Sequence, residues 1–200
     1  MGRGGAHRVR LPAQHAAVRA RAARPRPRGL REAALPFLED LYEATHENIH
    51  LAVLDGTDTL FLEKVTGRRS MPIVSRVGGR LPAYCTATGK LFLALGPPLR
   101  LERVLAAGLV RYTPHTIIMP GLLQRELART ADRGYAVNRE ESEAGVSAVA
   151  APVLDHRRHV IAAISITGNV CGWTSTGSPR PCGPRRWRCR GSCPGRAPAE

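Results

Sequence analysis

The chain has 200 residues, 43% of them hydrophobic and only 4% aromatic, with a formal net charge of +14. That length fits one domain with appendages, and no run approaches the roughly 18 apolar residues of a membrane-spanning helix. The opening MGRGGAHRVR lacks the apolar stretch of a secretory signal, so a cytoplasmic protein with no membrane partner is expected.

The first segment, residues 1–30, holds eight Arg and no acid, and reads VRARAARPRPRG near its end. It has no helical or strand period and is not expected to form a packed element. The last segment, residues 169–200, resembles it: six Arg against Glu200, many Pro and Gly, no Lys. Both fit either disordered basic arms or artefactual sequence, such as a GC-rich gene read out of frame. Residues 31–168 hold 16 Lys and Arg against 15 Asp and Glu, so this body is nearly neutral. Cys171, Cys182, Cys189 and Cys193 lie in the last segment, and their spacing matches no zinc template. Cys85 is alone in the body and reads as a small packed residue.

The body opens with a helix over Leu30–Thr45, where Leu30, Ala34, Phe37, Leu38, Leu41 and Ala44 follow one apolar face, with Pro36 as an interior blemish. From Asn48 the period changes to 2, predicting a strand with Ile49, Leu51 and Val53 on one face and His50, Ala52 and Leu54 on the other. The Asp55–Asp58 turn leads into a returning strand, TLFLEKV, because Asp-Gly supplies the positive φ of a tight hairpin. RSMPIVSRVG predicts a third short strand ended by Gly78-Gly79. Thr86 or Thr88 can cap a short helix running to Leu95. PPLRLERVLAAG predicts a further helix closed by Gly108, RYTPHTIIM an extended piece, and PGLLQRELARTADRG another helix between Pro120 and Gly134. A strand pair then flanks an acidic turn, REESE, and HVIAAISITG is the last strand, after a DHRR hairpin. This order gives an α+β domain around a mainly antiparallel sheet.

His46-Glu47-Asn48-Ile49-His50 matches the H-E-x-x-H pattern of zinc hydrolases. That chemistry needs both histidines on one helical face. With the helix ending near Thr45 and a strand starting at Asn48, the geometry is lost. Glu47 is expected to be a solvated turn residue and His50 to support the sheet. Thr88-Gly89-Lys90 also fails as a phosphate loop, because Tyr84 stands where Gly is needed and Leu91 where Ser or Thr is needed. Lys90 is expected at the surface or beside a pocket as a supporting charge. REESE offers three acids within four residues, and a charged turn is the expected reading rather than acid–base catalysis.

HLAVLDGTDTLFLEKV, GGRLPAYCTATGKLFLA, LARTADRGYAVNREESEAGVSAVAAPVLD and VIAAISITG, in that order, resemble the effector-binding domain of the IclR family of bacterial transcription regulators. The resemblance spans residues 31–168 and is densest from Gly134 to Asp155. It implies a GAF-like fold: a twisted, mainly antiparallel sheet flanked by helices, with a small-molecule pocket over one face. It also implies a sensor of small organic or aromatic acids that forms a homodimer or homotetramer, with no catalysis and no cofactor. DNA contact would come only through an N-terminal winged helix-turn-helix of the full-length parent. That module needs roughly 60 residues ahead of residue 30, and 1–29 show no such pattern.

By this resemblance three places face the effector: Ala87, Thr88 and Gly89 at a helix entry, Asn138 with Ala148, and Ser165 with Thr167 on the last strand. Helix amides favour a carboxylate, and each hydroxyl can donate to one. Some members carry Asp and Cys at the places of Asn138 and Ala148. Two other readings stand beside the sensor: nucleic-acid binding through the Arg-rich segments, and a zinc hydrolase using His46, Glu47 and His50.

Overall fold

The computed structural model describes residues 27–169 apart from Arg69, with only the backbone of Pro27 and Arg28. The expectations for residues 1–26 and 170–200 lie outside the described residues. Helix α1 spans Pro27–Thr45, starting three residues before the predicted Leu30. Leu30, Ala34 and Leu38 form its buried stripe, as the 3-4 spacing requires. Phe37, grouped with that face by spacing, is instead 45% exposed.

Strands β1 (Asn48–Asp55), β2 (Asp58–Val65), β3 (Arg80–Pro82), β4 (Ala136–Arg139), β5 (Val146–Leu154) and β6 (Val160–Asn169) make one sheet. Its order is β3-β2-β1-β6-β5-β4, and each pairing is antiparallel. The α+β, GAF-like reading holds. Gly56 has φ +65° in the β1–β2 hairpin, as the Asp-Gly turn demanded.

Alternation divides the sheet into two unlike faces. One carries Ile49, Leu51, Val153 and Ala162 and packs under α1. The other carries small residues, Ala136, Ala148, Ala150 and Ala163, and receives helix α2 (Ala87–Ala94) through Ala87, Leu91 and Phe92. The outer side of α2 meets α3 (Pro98–Ala107) and α4 (Pro120–Arg133), with Leu93 packed among Val104, Leu123 and Leu127. Helix α2 is therefore sandwiched, and its residues 87–93 are all buried. Gly89 permits this closeness: a Cβ there would lie 2.2 Å from the Ala83 carbonyl oxygen.

Two expectations fail. Residues 70–79 form an arched loop rather than a strand, and the third strand is β3 instead. Pro72 has no N–H to give a ladder, and the loop's polar backbone is met by side chains. Asn48 Nδ2 donates to the Met71 carbonyl at 2.9 Å and Lys64 Nζ to that of Ser75 at 2.9 Å. RYTPHTIIM is likewise not extended throughout. Thr113–Thr116 turn back, and their hydroxyls donate to the Glu140 and Glu141 carbonyls at 2.6 and 2.7 Å.

Candidate functional site

The site begins at the start of α2. Thr86 has extended backbone angles, and its Oγ1 accepts the Gly89 N–H at 3.1 Å, so Thr86 rather than Thr88 is the cap. Thr59 Oγ1 meets the same hydroxyl at 3.0 Å and fixes its position. Gly89 N–H is thereby occupied. The amides of Ala87 and Thr88, which a helix start leaves without intrahelical acceptors, are the ones that can serve a ligand. The Thr88 side chain is also released from capping.

Opposite this helix end the sheet presents two polar rows. Register aligns Asn138, Ala148, Thr167 and Asn48 across four strands, and Ala150, Ser165, His50 and Lys64 in the next row. Between these rows and α2 lies a cavity of about 410 Å³, counting its open mouth. Ala87, Thr88, Asn138, Ala148, Ser165 and Thr167 all line it, so six of the seven expected residues converge. Gly89 does not line it; its role is the close packing and capping just described. Thr88 and Ser165 are 2% and 4% exposed, and among the described residues neither hydroxyl has a hydrogen-bond partner. Asn138 is already engaged: its Oδ1 accepts the Glu141 N–H at 2.8 Å and its Nδ2 donates to Ser142 Oγ at 3.0 Å.

The sequence pointed to none of the residues on the loop side of the cavity. Ile73, Val74 and Ser75 close it from the arched loop, and Phe61 and Leu81 supply apolar wall. Misreading that loop as a strand concealed them. His50 was recognised only as sheet support, yet it lines the cavity and its Nε2 lies 2.8 Å from Ser75 Oγ. The signal existed in strand alternation, but the pairing with Ser165 needed the sheet order. Burial, with the Lys64 charge adding to it, holds His50 down to about 3, so the imidazole is neutral at neutral pH. Burial also lowers Lys64, opposed by Glu143, whose carboxylate accepts the Val74 N–H at 3.3 Å.

Lys90 is not at the surface. It is fully buried, donating to Glu141 Oε1 at 2.6 Å and to the Val137 carbonyl at 2.5 Å. The acidic turn is therefore only partly a solvated one, since Glu141 is 5% exposed. Burial raises the Glu141 carboxyl above its usual range, while Lys90 opposes the rise. Among the described residues Glu141 Oε2 has no partner. Cys85 is buried and its thiol is pushed up to about 12, first by burial and then by Glu141, which fits a packed residue and not a nucleophile.

The zinc reading fails on geometry. His46 sits past the end of α1 with φ +56° and is exposed, whereas His50 is buried inside β1. The two cannot share a helical face. Glu47, expected to be solvated, is half-buried, and burial raises its carboxyl.

Comparison with known proteins follows this geometry. The family model for the C-terminal part of bacterial IclR transcriptional regulators matches residues 26–180. The chain is 37% identical over 139 residues to the HTH-type transcriptional regulator XynR of Escherichia coli K12, covering 69% of this chain and 55% of that protein. The chain spans about half the length of the curated relatives it matches. Among solved structures, the IclR protein of Thermotoga maritima superposes with a TM-score of 0.70 at 38% identity, covering 74% of this chain and 60% of the other. An IclR homologue from Microbacterium hydrocarbonoxydans, complexed with 4-hydroxybenzoate, gives 0.72 at 32% identity, covering 76% and 63%.

Proposed function

Because this chain belongs to the IclR family of bacterial transcriptional regulators, through the family's C-terminal domain, we propose that it senses a small organic or aromatic acid in the cavity between α2 and the sheet. The proposed unit is residues 31–168. Family membership makes it a regulatory domain and not an enzyme. Among the described residues no helix is long and apolar enough to cross a membrane; cytoplasmic residence, self-association into a homodimer or homotetramer, and DNA contact through a helix-turn-helix of the parent regulator belong to the proposal.

The observation that carries the reading is the pair of cavity-facing hydroxyls of Thr88 and Ser165. They come from opposite walls and no protein group in the described chain satisfies them. Their oxygens open on the cavity rather than on protein, so both can donate to a ligand with acceptors seated there. A carboxylate fits: it takes several donors, and the Ala87 and Thr88 amides at the positive end of α2 favour its charge. Phe61, Ile73, Val74 and Leu81 leave an apolar space for the body of the acid. A hydroxybenzoate combines a carboxylate with an apolar ring, and 4-hydroxybenzoate is the ligand in the complex of the Microbacterium relative.

The test is thermal unfolding of the full chain with 4-hydroxybenzoate, benzoate and pyruvate. At least one acid raises the melting temperature by mass action. Ser165→Ala and Thr88→Val each weaken that acid by about tenfold or more, the range for a hydrogen bond to a charged group. No shift with any acid, together with binding unchanged by either variant, refutes the reading.

A further inference from the structure

We propose that Ser75, His50 and Thr167 form a directed hydrogen-bond relay. In it His50 is a positioning residue, carrying its proton on Nδ1, that turns the Thr167 hydroxyl proton into the cavity and couples an acceptor bound there to the loop above it. This inference rests on the acid-sensing reading and deepens it.

All three residues line the cavity. His50 Nε2 lies 2.8 Å from Ser75 Oγ, and its Nδ1 lies 3.4 Å from Thr167 Oγ1. The ring is packed at an angle against Phe61, with centroids 5.2 Å apart, which holds its plane. Each ring nitrogen thus has its own hydroxyl, one on the arched loop and one on β6.

A neutral imidazole has one donor and one acceptor, so only two arrangements exist. With the proton on Nε2, His50 donates to Ser75 and its Nδ1 accepts the Thr167 proton. Thr167 then offers only lone pairs to the cavity, and these repel a carboxylate. With the proton on Nδ1, Ser75 donates to Nε2, Nδ1–H donates to Thr167 Oγ1, and the Thr167 proton is free to point at a ligand oxygen. Only the second arrangement agrees with the other donors facing the same space, the Thr88 and Ser165 hydroxyls and the first amides of α2. The ring's low affinity for a second proton, set by burial and by Lys64, keeps the choice between these two states.

The same chain reaches the loop. The Ser75 carbonyl accepts from Lys64 Nζ at 2.9 Å, while Glu143 accepts from the Val74 amide at 3.3 Å. Ser75 is therefore fixed at both its hydroxyl and its carbonyl. An acceptor that draws the Thr167 proton strengthens each donor behind it, because hydrogen bonds in a chain polarise one another. Ligand capture thereby tightens the loop.

The experiment is 15N NMR of the imidazoles of the full chain, with the His50 signal assigned by its loss in His50→Gln. The expected result is the Nδ1–H neutral pattern; an Nε2–H pattern or an imidazolium at pH 7 overturns the relay. Binding is then compared for 4-hydroxybenzoate and its donor-only counterpart 4-hydroxybenzamidine. The preference for the acid falls by about tenfold in His50→Phe and in Thr167→Val, and His50→Phe combined with Thr167→Val adds little to either alone. Independent, additive losses overturn the relay. Ser75→Ala leaves the imidazole in place, so it separates the relay from a folding defect: amide exchange across residues 73–76 no longer slows on adding 4-hydroxybenzoate. Retained slowing overturns the coupling to the loop. A wild-type chain that binds neither compound, and neither benzoate nor pyruvate, refutes the acid-sensing reading, and the tautomer measurement then decides the relay alone.

Discussion

Replacing Lys90 by Met would strand Glu141 as a lone buried carboxylate. The native pair sits 2.6 Å apart with side chains 0% and 6% exposed, and Lys90 also satisfies the Val137 carbonyl. Breaking a buried pair by removing one partner costs about 3–5 kcal/mol, whereas replacing both with apolar residues is close to neutral. Burial already lifts the Glu141 pKa above its ordinary value, and Lys90 opposes this. A carboxyl whose folded pKa is raised stabilises fully below its unfolded pKa, and that contribution is lost as pH rises through the folded value. Losing Lys90 raises the folded value further, so the window extends upward from about 4.5. The defect of Lys90→Met is therefore expected to be largest near pH 8 and to shrink toward pH 5, where the carboxyl takes up a proton. Urea unfolding of the full chain reads this directly. With a slope of about 1–3 kcal/mol per M, the midpoint at pH 8 falls by at least about 1 M. Lys90→Met with Glu141→Leu recovers most of the loss. The reasoning is refuted by a cost under about 1 kcal/mol at pH 8, by a cost that does not shrink on acidification, or by a double variant as unstable as the single one.

Gly89→Ala places a methyl against the Ala83 backbone, which cannot yield as a flexible side chain would. About 1–3 kcal/mol of stability is expected to be lost, with acid binding weakened because the α2 entry shifts; an unchanged urea midpoint contradicts this. Thr86→Ala removes the cap on Gly89 N–H and the Thr59 contact, and costs about 1 kcal/mol by the same measurement. Thr88→Val, by contrast, leaves that midpoint within about 0.5 kcal/mol, because its hydroxyl has no protein partner to lose. The Cys85 peptide is expected to resist alkylation at pH 8 in the native chain and to react in urea, since burial pushes its thiol up to about 12; mass spectrometry of the labelled digest checks this.

The helices and most strands were legible because each carries a local signature: the 3-4 stripe of α1, the Asp-Gly hairpin after β1, and Pro120 and Gly134 bracketing α4. The cavity was legible only in part. Ala87, Thr88, Asn138, Ala148, Ser165 and Thr167 were reached through resemblance to a family, not through periodicity. What stayed hidden depends on long-range pairing. A lysine on a helix reads as solvated until its partner 51 residues away is brought beside it. An apolar stretch such as Met71–Val74 has the residue types of a strand, and nothing local reveals that Asn48 and Lys64 will bond its carbonyls instead. The Pro72 ring was the one cue against a central strand.

The two faces of the sheet explain why a cavity persists where close packing would otherwise win. Under α1 the strands present Ile49, Leu51, Ile164 and Ile166, large β-branched or branched residues that fill the interface. On the α2 side the same strands present Ala52, Ala148, Ala150 and Ala163 where the helix must approach, and Ser165, Thr167 and His50 where it has just begun. Small side chains bring α2 down onto the sheet, and the polar row beyond them cannot be covered by apolar atoms without stranding its donors. The arched loop closes the remaining side through Asn48, His50, Lys64 and Glu143, side-chain contacts that can break one at a time, unlike a strand ladder. The α1 face is thus filled by apolar packing, whereas the α2 face combines packing with the polar groups that can respond to a ligand. A substitution such as Leu51→Ala is expected to cost about 2–5 kcal/mol, while Ser75→Ala leaves the fold intact and weakens how the loop answers a bound acid.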